Sequence, residues 1–144
     1  MTSISTDSLP RQIRDWGQDL GFQQVGICDI DLRQAEQHLL DWLAAGFHGE
    51  MTYMARHGVR RSRPAELVPG TVSVISVRMD YLPEGRAAIT SWLDSPGTAF
   101  ISRYALGRDY HKLLRQRLQA LASRIEALIG PYGYRVFTDS APVM

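Results

Sequence analysis

Residues 110–129, YHKLLRQRLQALASRIEALI, restrict the possible folds of this chain more than any other stretch. Leu114, Leu118, Leu121, Ile125 and Leu128 recur at helical spacing and line one apolar stripe. Gly130-Pro131 ends the run, because glycine takes the cap conformation and proline cannot continue a helix. A helix of this length with a single apolar face needs a second layer to cover it. The strongest candidate is residues 72–79, VSVISVRM, a β-branched and mostly apolar run that reads as a central strand.

The rest of the chain supplies shorter elements. Ser8-Leu9-Pro10 starts a helix carrying Ile13, Trp16 and Leu20, and Gly21 ends it. Residues 24–30 alternate Val25 and Ile27 with small or polar residues, as a short strand does. Asp31 can cap a second helix with Ala35, Leu39, Leu40 and Leu43 on one face, stopped by Gly46. A short helix is expected over about 50–57, a helical turn at 89–93, and strands at 100–104 and 134–138. The order helix, strand, helix, helix, strand, loop, strand, helix, strand predicts an α/β (α+β) domain, a mixed sheet of roughly four strands packed with helices. The length of 144 residues suits one domain.

Several function classes drop out. Cys28 is the only cysteine, so an internal disulfide, a four-cysteine zinc site and an iron–sulfur cluster all lack ligands in this chain. His38, His48, His57 and His111 do not share the i, i+4 spacing of a helical metal site, and His38 reads as a surface residue. No apolar run approaches the ~18 residues of a membrane span, and the start, MTSISTDSLPRQIRDW, lacks the pattern of a signal peptide. A cytoplasmic protein is expected. The nucleotide-binding, zinc-protease and serine-hydrolase motifs GxGxxG, GxxxxGK[ST], HExxH and GxSxG are absent. Of the 16 basic residues only Lys112 is a lysine; arginine suits bidentate recognition of phosphate and carboxylate, although a GC-rich genome gives the same bias.

Three segments carry more information. The first is 46–70, with its aromatic, methionine and arginine content, which also reads as an ordinary solvated basic loop. The second is SRYALGRDYH, 102–111, which gathers Ser, Arg, Tyr, Asp and His where a strand meets a helix N-terminus, a place that favours anions. There Asp109 also reads as a simple helix cap. The third is Asp139 at a strand end before Ser140-Ala141-Pro142, where apolar neighbours would favour the protonated form of a carboxyl group. Its alternative is a turn-initiating aspartate.

Taken with WLAAGFHGEMTYM at 42–54, RSRPAELVPG at 61–70, SVISV at 73–77, Tyr81 and Pro83, the segments SRYALGRDYH and FTDSAPV at 137–143 resemble the epoxyqueuosine reductase family in order and spacing, from about Trp16 to the last residue. The resemblance implies reduction of the epoxide of epoxyqueuosine in a tRNA anticodon loop, giving queuosine. It implies a cobalamin-binding N-terminal domain related to those of reductive dehalogenases, followed by a ferredoxin-like domain whose two [4Fe-4S] clusters pass electrons to the cobalt. It also implies an electron donor, a usually monomeric state and no membrane partner. By resemblance Asp139 is the general acid. The cobalamin contacts map onto Arg61, Ser102, Arg103, Tyr104, Tyr110, His111, Ser140, Ala141 and Pro142, with Asp139 among them. The family continues beyond the Asp-Ser-Ala-Pro segment into cluster cysteines that this chain lacks. The expectation is therefore a single truncated cobalamin-binding domain over 1–144, without the ferredoxin-like domain and without turnover on its own. The alternatives are a non-catalytic remnant or a stand-alone cofactor- or RNA-binding module.

Overall fold

The computed structural model of the chain describes residues 8–81 and 86–139. In chain order the elements are α1 (Ser8–Asp19), β1 (Gln24–Cys28), α2 (Arg33–Ala44), α3 (Tyr53–Arg56), a 3₁₀ turn (Gly58–Arg61), α4 (Pro64–Leu67), β2 (Val74–Arg78), α5 (Arg86–Leu93), a second 3₁₀ turn (Arg103–Ala105) and α6 (Tyr110–Ile129). The fold class is α+β, and α6 covers the residues its apolar spacing predicts.

β1 and β2 pair antiparallel, with Val25 opposite Val77 and Ile27 opposite Ile75. Alternation along a strand puts these four side chains on one face. They pack with Leu9, Trp16 and Leu20 of the first helical segment and with Tyr132 around a buried centre of Ile13, Leu121 and Ile125. The stripe on α6 is thus covered by α1 and one face of the ribbon. Phe22, in the turn between α1 and β1, is fully buried at 2% exposure. Gly17 lets α1 approach the ribbon, since a Cβ there would lie 2.3 Å from Val25 Cγ2. Gly21 has φ +85°, a backbone conformation that favours glycine, while the Arg117 guanidinium beside it could move aside. Arg124 reaches Asp19 at 3.3 Å and ties α6 to the end of α1.

Several expectations are corrected. Among the described residues the sheet has two strands rather than roughly four, and β2 is an edge of a ribbon rather than a central strand. Residues 100–104 form no strand: Phe100 and Ile101 lie exposed, and the chain turns into the second 3₁₀ turn. Residues 134–138 form no strand either, because their neighbour is a helix. Tyr132 donates its hydroxyl to the Ala122 carbonyl at 3.2 Å, the Gln119 amide donates to the Tyr134 hydroxyl, and Asp139 accepts from Tyr110. The segment after Gly130 therefore runs back along α6 from its end to its beginning. Alternating aromatic and β-branched residues suit any half-buried extended segment, whether a strand or a helix lies beside it.

β1 stops at Cys28 rather than at residue 30, because the Asp29 carboxylate accepts the Asp31 N–H at 3.0 Å and turns the chain. The N-cap position of α2 is Leu32, with no side-chain bond, but the Asp31 carboxylate accepts the backbone N–H of Arg33, the first residue of α2, at 3.3 Å and also pairs with its guanidinium at 2.6 Å. On α2, Ala35, Leu39 and Leu43 are half-buried, while Leu40 and His38 are exposed. The helix expected over 50–57 shrinks to α3, and α5 extends the expected turn at 89–93 toward its N-terminal side.

Candidate functional site

Asp109 begins the site. Its carboxylate caps α6 by accepting the His111 backbone N–H at 3.0 Å, the satisfaction a helix N-terminus needs. That bond, reinforced by the His111 ring, holds the carboxyl below its ordinary range. His111 Nδ1 lies 3.1 Å from the same oxygen. The ring of Tyr110 stacks on that of His111, with centroids 4.1 Å apart.

From this platform the Tyr110 hydroxyl donates to Asp139 Oδ2 at 2.5 Å, and His111 Nε2 stands 3.9 Å from the same oxygen. The carboxylate beside it is the main cause that raises the Tyr110 phenol above its ordinary ionisation range. Asp139 has φ +52°, the one positive value at a non-glycine position among the described residues. A left-handed aspartate costs about 1 kcal/mol and is seldom found without a local reason. The Asp139 side chain is 59% exposed, so the described residues do not enclose it in the apolar setting expected of a buried acid; the carboxyl faces outward, open to a ligand.

Tyr104 meets Tyr110 edge to face at 6.2 Å, and Tyr81 meets Tyr104 the same way at 6.3 Å. These rings make an aromatic row that ends at Asp139. Ser102 and Arg103 share the turn with Tyr104. Arg103 also lines a shallow hollow of about 170 Å³ with Trp92, Ala99, Phe100, Ile101 and Leu106. Small-molecule sites that enclose a ligand measure roughly 300–1,000 Å³. The hollow is therefore too shallow to enclose a small molecule by itself, and the aromatic row lies on the open surface beside it.

Of the residues expected in the site, the structure brings Tyr104, Tyr110, His111 and Asp139 together and puts Ser102 and Arg103 beside them. Arg61 is engaged elsewhere: its guanidinium donates to the Met54 and Tyr53 carbonyls at 3.2 and 2.9 Å and staples the end of α3. Ser140, Ala141 and Pro142 lie outside the described residues. Trp92, Ala99 and Leu106 were not singled out by sequence; the available signal was apolar side chains inside a segment punctuated by glycine and proline. Nor does sequence pair Arg63 of the basic loop with Glu36, yet they meet at 2.9 Å, and Ser62 donates to the same carboxylate at 2.5 Å. These bonds, that of Arg63 first, hold the Glu36 carboxyl down at about 2. Among the described residues no three His, Cys, Asp or Glu side chains gather as a metal site, and no helix is long and apolar enough to cross a membrane.

Comparison with known proteins gives the family. The family model described as "Epoxyqueuosine reductase QueG, DUF1730" matches residues 61–140. An epoxyqueuosine reductase of Pseudomonas aeruginosa is 63% identical over 136 residues, 94% of this chain and 37% of that protein. Those of Alicycliphilus denitrificans and Escherichia coli K12 are 59% and 52% identical, each over 98% of this chain and over 41% and 37% of their own lengths. No solved structure matches. The chain thus spans about two fifths of the length of these relatives, consistent with an N-terminal portion. With its two most distinctive segments meeting at Tyr110 and Asp139, and with relatives of this identity along nearly its whole length, the chain belongs to the epoxyqueuosine reductase family.

Proposed function

We propose that residues 1–144 are the cobalamin-binding part of a cytoplasmic enzyme that reduces the epoxide of epoxyqueuosine in a tRNA anticodon loop to queuosine. The observation that carries this reading is the contact between SRYALGRDYH and the Asp-Ser-Ala-Pro segment. Residues 29 positions apart converge on one exposed carboxyl beside an aromatic face.

Cobalamin, when bound, supplies the reducing chemistry at the epoxide carbon. Tyr104, Tyr110 and His111 would lie against one face of it, with Ser102 and Arg103 beside its polar groups and Ser140, Ala141 and Pro142 completing the contact. Arg61 would act from behind, by fixing the turn of α3. Asp139, in its protonated form, gives its proton to the oxygen as the C–O bond opens, and is left as a carboxylate. Two [4Fe-4S] clusters of a ferredoxin-like domain, reached by an electron donor, would deliver the electrons; Cys28, the one cysteine among residues 1–144, cannot ligate such a cluster, so their ligands would lie outside these residues.

Absorbance titration of the chain with hydroxocobalamin tests the reading. A saturable spectral change, weakened about tenfold or more by Tyr104→Ala, supports it. Absence of any change at millimolar cofactor refutes it. Anaerobic incubation of residues 1–144 with reductant, cobalamin and epoxyqueuosine-tRNA is expected to give no queuosine, and product formation would refute the assignment of electron delivery to residues outside them.

A further inference from the structure

We infer that Tyr110 is a positioning residue for Asp139 and that it assigns different roles to the two carboxyl oxygens; this deepens, and rests on, the reading of Asp139 as the proton donor. The Tyr110 hydroxyl donates to Oδ2, and His111 Nε2 faces that same oxygen. Oδ2 is thereby committed to the protein. Neither Tyr110 nor His111 addresses Oδ1, so in the protonated form of Asp139 it is the oxygen left to carry the proton. Tyr110 can hold the carboxyl because its own ring is held twice, stacked on His111 and met edge-on by Tyr104. His111 is fixed in turn by Asp109, through both its backbone N–H and Nδ1. The chain of constraint runs from the cap of α6, through two rings, to one oxygen atom. It also explains how an aspartate with left-handed backbone keeps one orientation while more than half exposed.

The contact is testable without cofactor. In the chain labelled with 13Cζ-tyrosine, Tyr110→Phe identifies the Tyr110 resonance among the six tyrosines. That resonance is expected to titrate above the ordinary tyrosine value of about 10, and to move down toward it in Asp139→Ala. An unchanged titration in Asp139→Ala overturns the inference. Asp139→Asn provides a second variant that keeps the side-chain shape, and it is expected to move the resonance in the same direction. In a full-length polypeptide carrying this domain, Tyr110→Phe, which keeps the ring and removes only the hydroxyl, is expected to lower kcat about tenfold, as loss of a hydrogen bond to a charged group does, with KM for tRNA unchanged. A kcat equal to that of wild type would overturn the positioning role. Failure of the proton-donor reading looks different: Asp139→Asn would then retain kcat while the tyrosine titration still responds.

Discussion

Glu36, away from the site, sits in surroundings that strongly change its acid–base behaviour. Arg63 and Ser62 favour its charged form and hold its carboxyl near 2, against 4.5 for the free group. A carboxyl depressed on folding contributes stability that is full above its unfolded value and fades as the pH falls toward the folded one. Glu36→Gln should therefore lower the melting temperature by a few degrees at pH 7, and the gap to wild type should close as the pH drops from about 4.5 to 2; scanning calorimetry across that range checks this, and a gap independent of pH would contradict it. Burial dominates at Phe22 instead. Phe22→Ala should cost about 3–5 kcal/mol in urea unfolding, as large-to-small changes do in a closed core. Sequence distinguishes the two cases poorly. Phe22 follows a glycine with no periodic neighbours to mark it as core, and Glu36 meets its arginine across 27 positions.

At the scale of elements, helices were legible and strand partners were not. A helix is specified by side chains three and four positions apart, so α1 and α6 could be read from Ile13, Trp16 and Leu20 or from Leu118, Leu121 and Ile125. A strand needs a neighbour that its own sequence does not name, so 100–104 and 134–138 read as strands and fold otherwise. The site divides along the same line. Tyr104, Tyr110, His111 and Asp139 were found through two segments that resemble a family, whereas the hollow at Trp92 depends on which loop residues stay uncovered. Gly17 tests how tightly two elements meet. Alanine is the better helix former, yet Gly17→Ala should destabilise the protein by about 1–3 kcal/mol, because the new methyl would enter Val25. Gly17→Ala combined with Val25→Ala should recover part of the loss, as a double-mutant cycle would measure. Equal stability of Gly17→Ala and wild type would show that α1 can lift from the ribbon at little cost.

At the scale of the whole molecule, apolar surface is unevenly shared. The buried centre is small, and large hydrophobics such as Phe47, Val72, Tyr81 and Leu93 stand exposed along the chain; among them Trp92, Phe100, Ile101 and Leu106 come together at one hollow. A fluorescent apolar dye such as 1-anilino-8-naphthalenesulfonate should bind the folded chain there, cobalamin should compete with it, and Leu106→Asp should weaken both; dye binding unaffected by cobalamin would place the two on separate surfaces. The long helix joins the two regions. Its later turns hold Leu121, Ala122 and Ile125 in the core, and its first turn carries the half-buried Tyr110 and His111 to the site. Twenty residues span about 30 Å, so α6 joins the core, at its later turns, to the site at its first turn. Its amides should record this as a gradient in hydrogen exchange, slowest near Ile125 and faster before Leu114, with a ligand at the site slowing the first turns most.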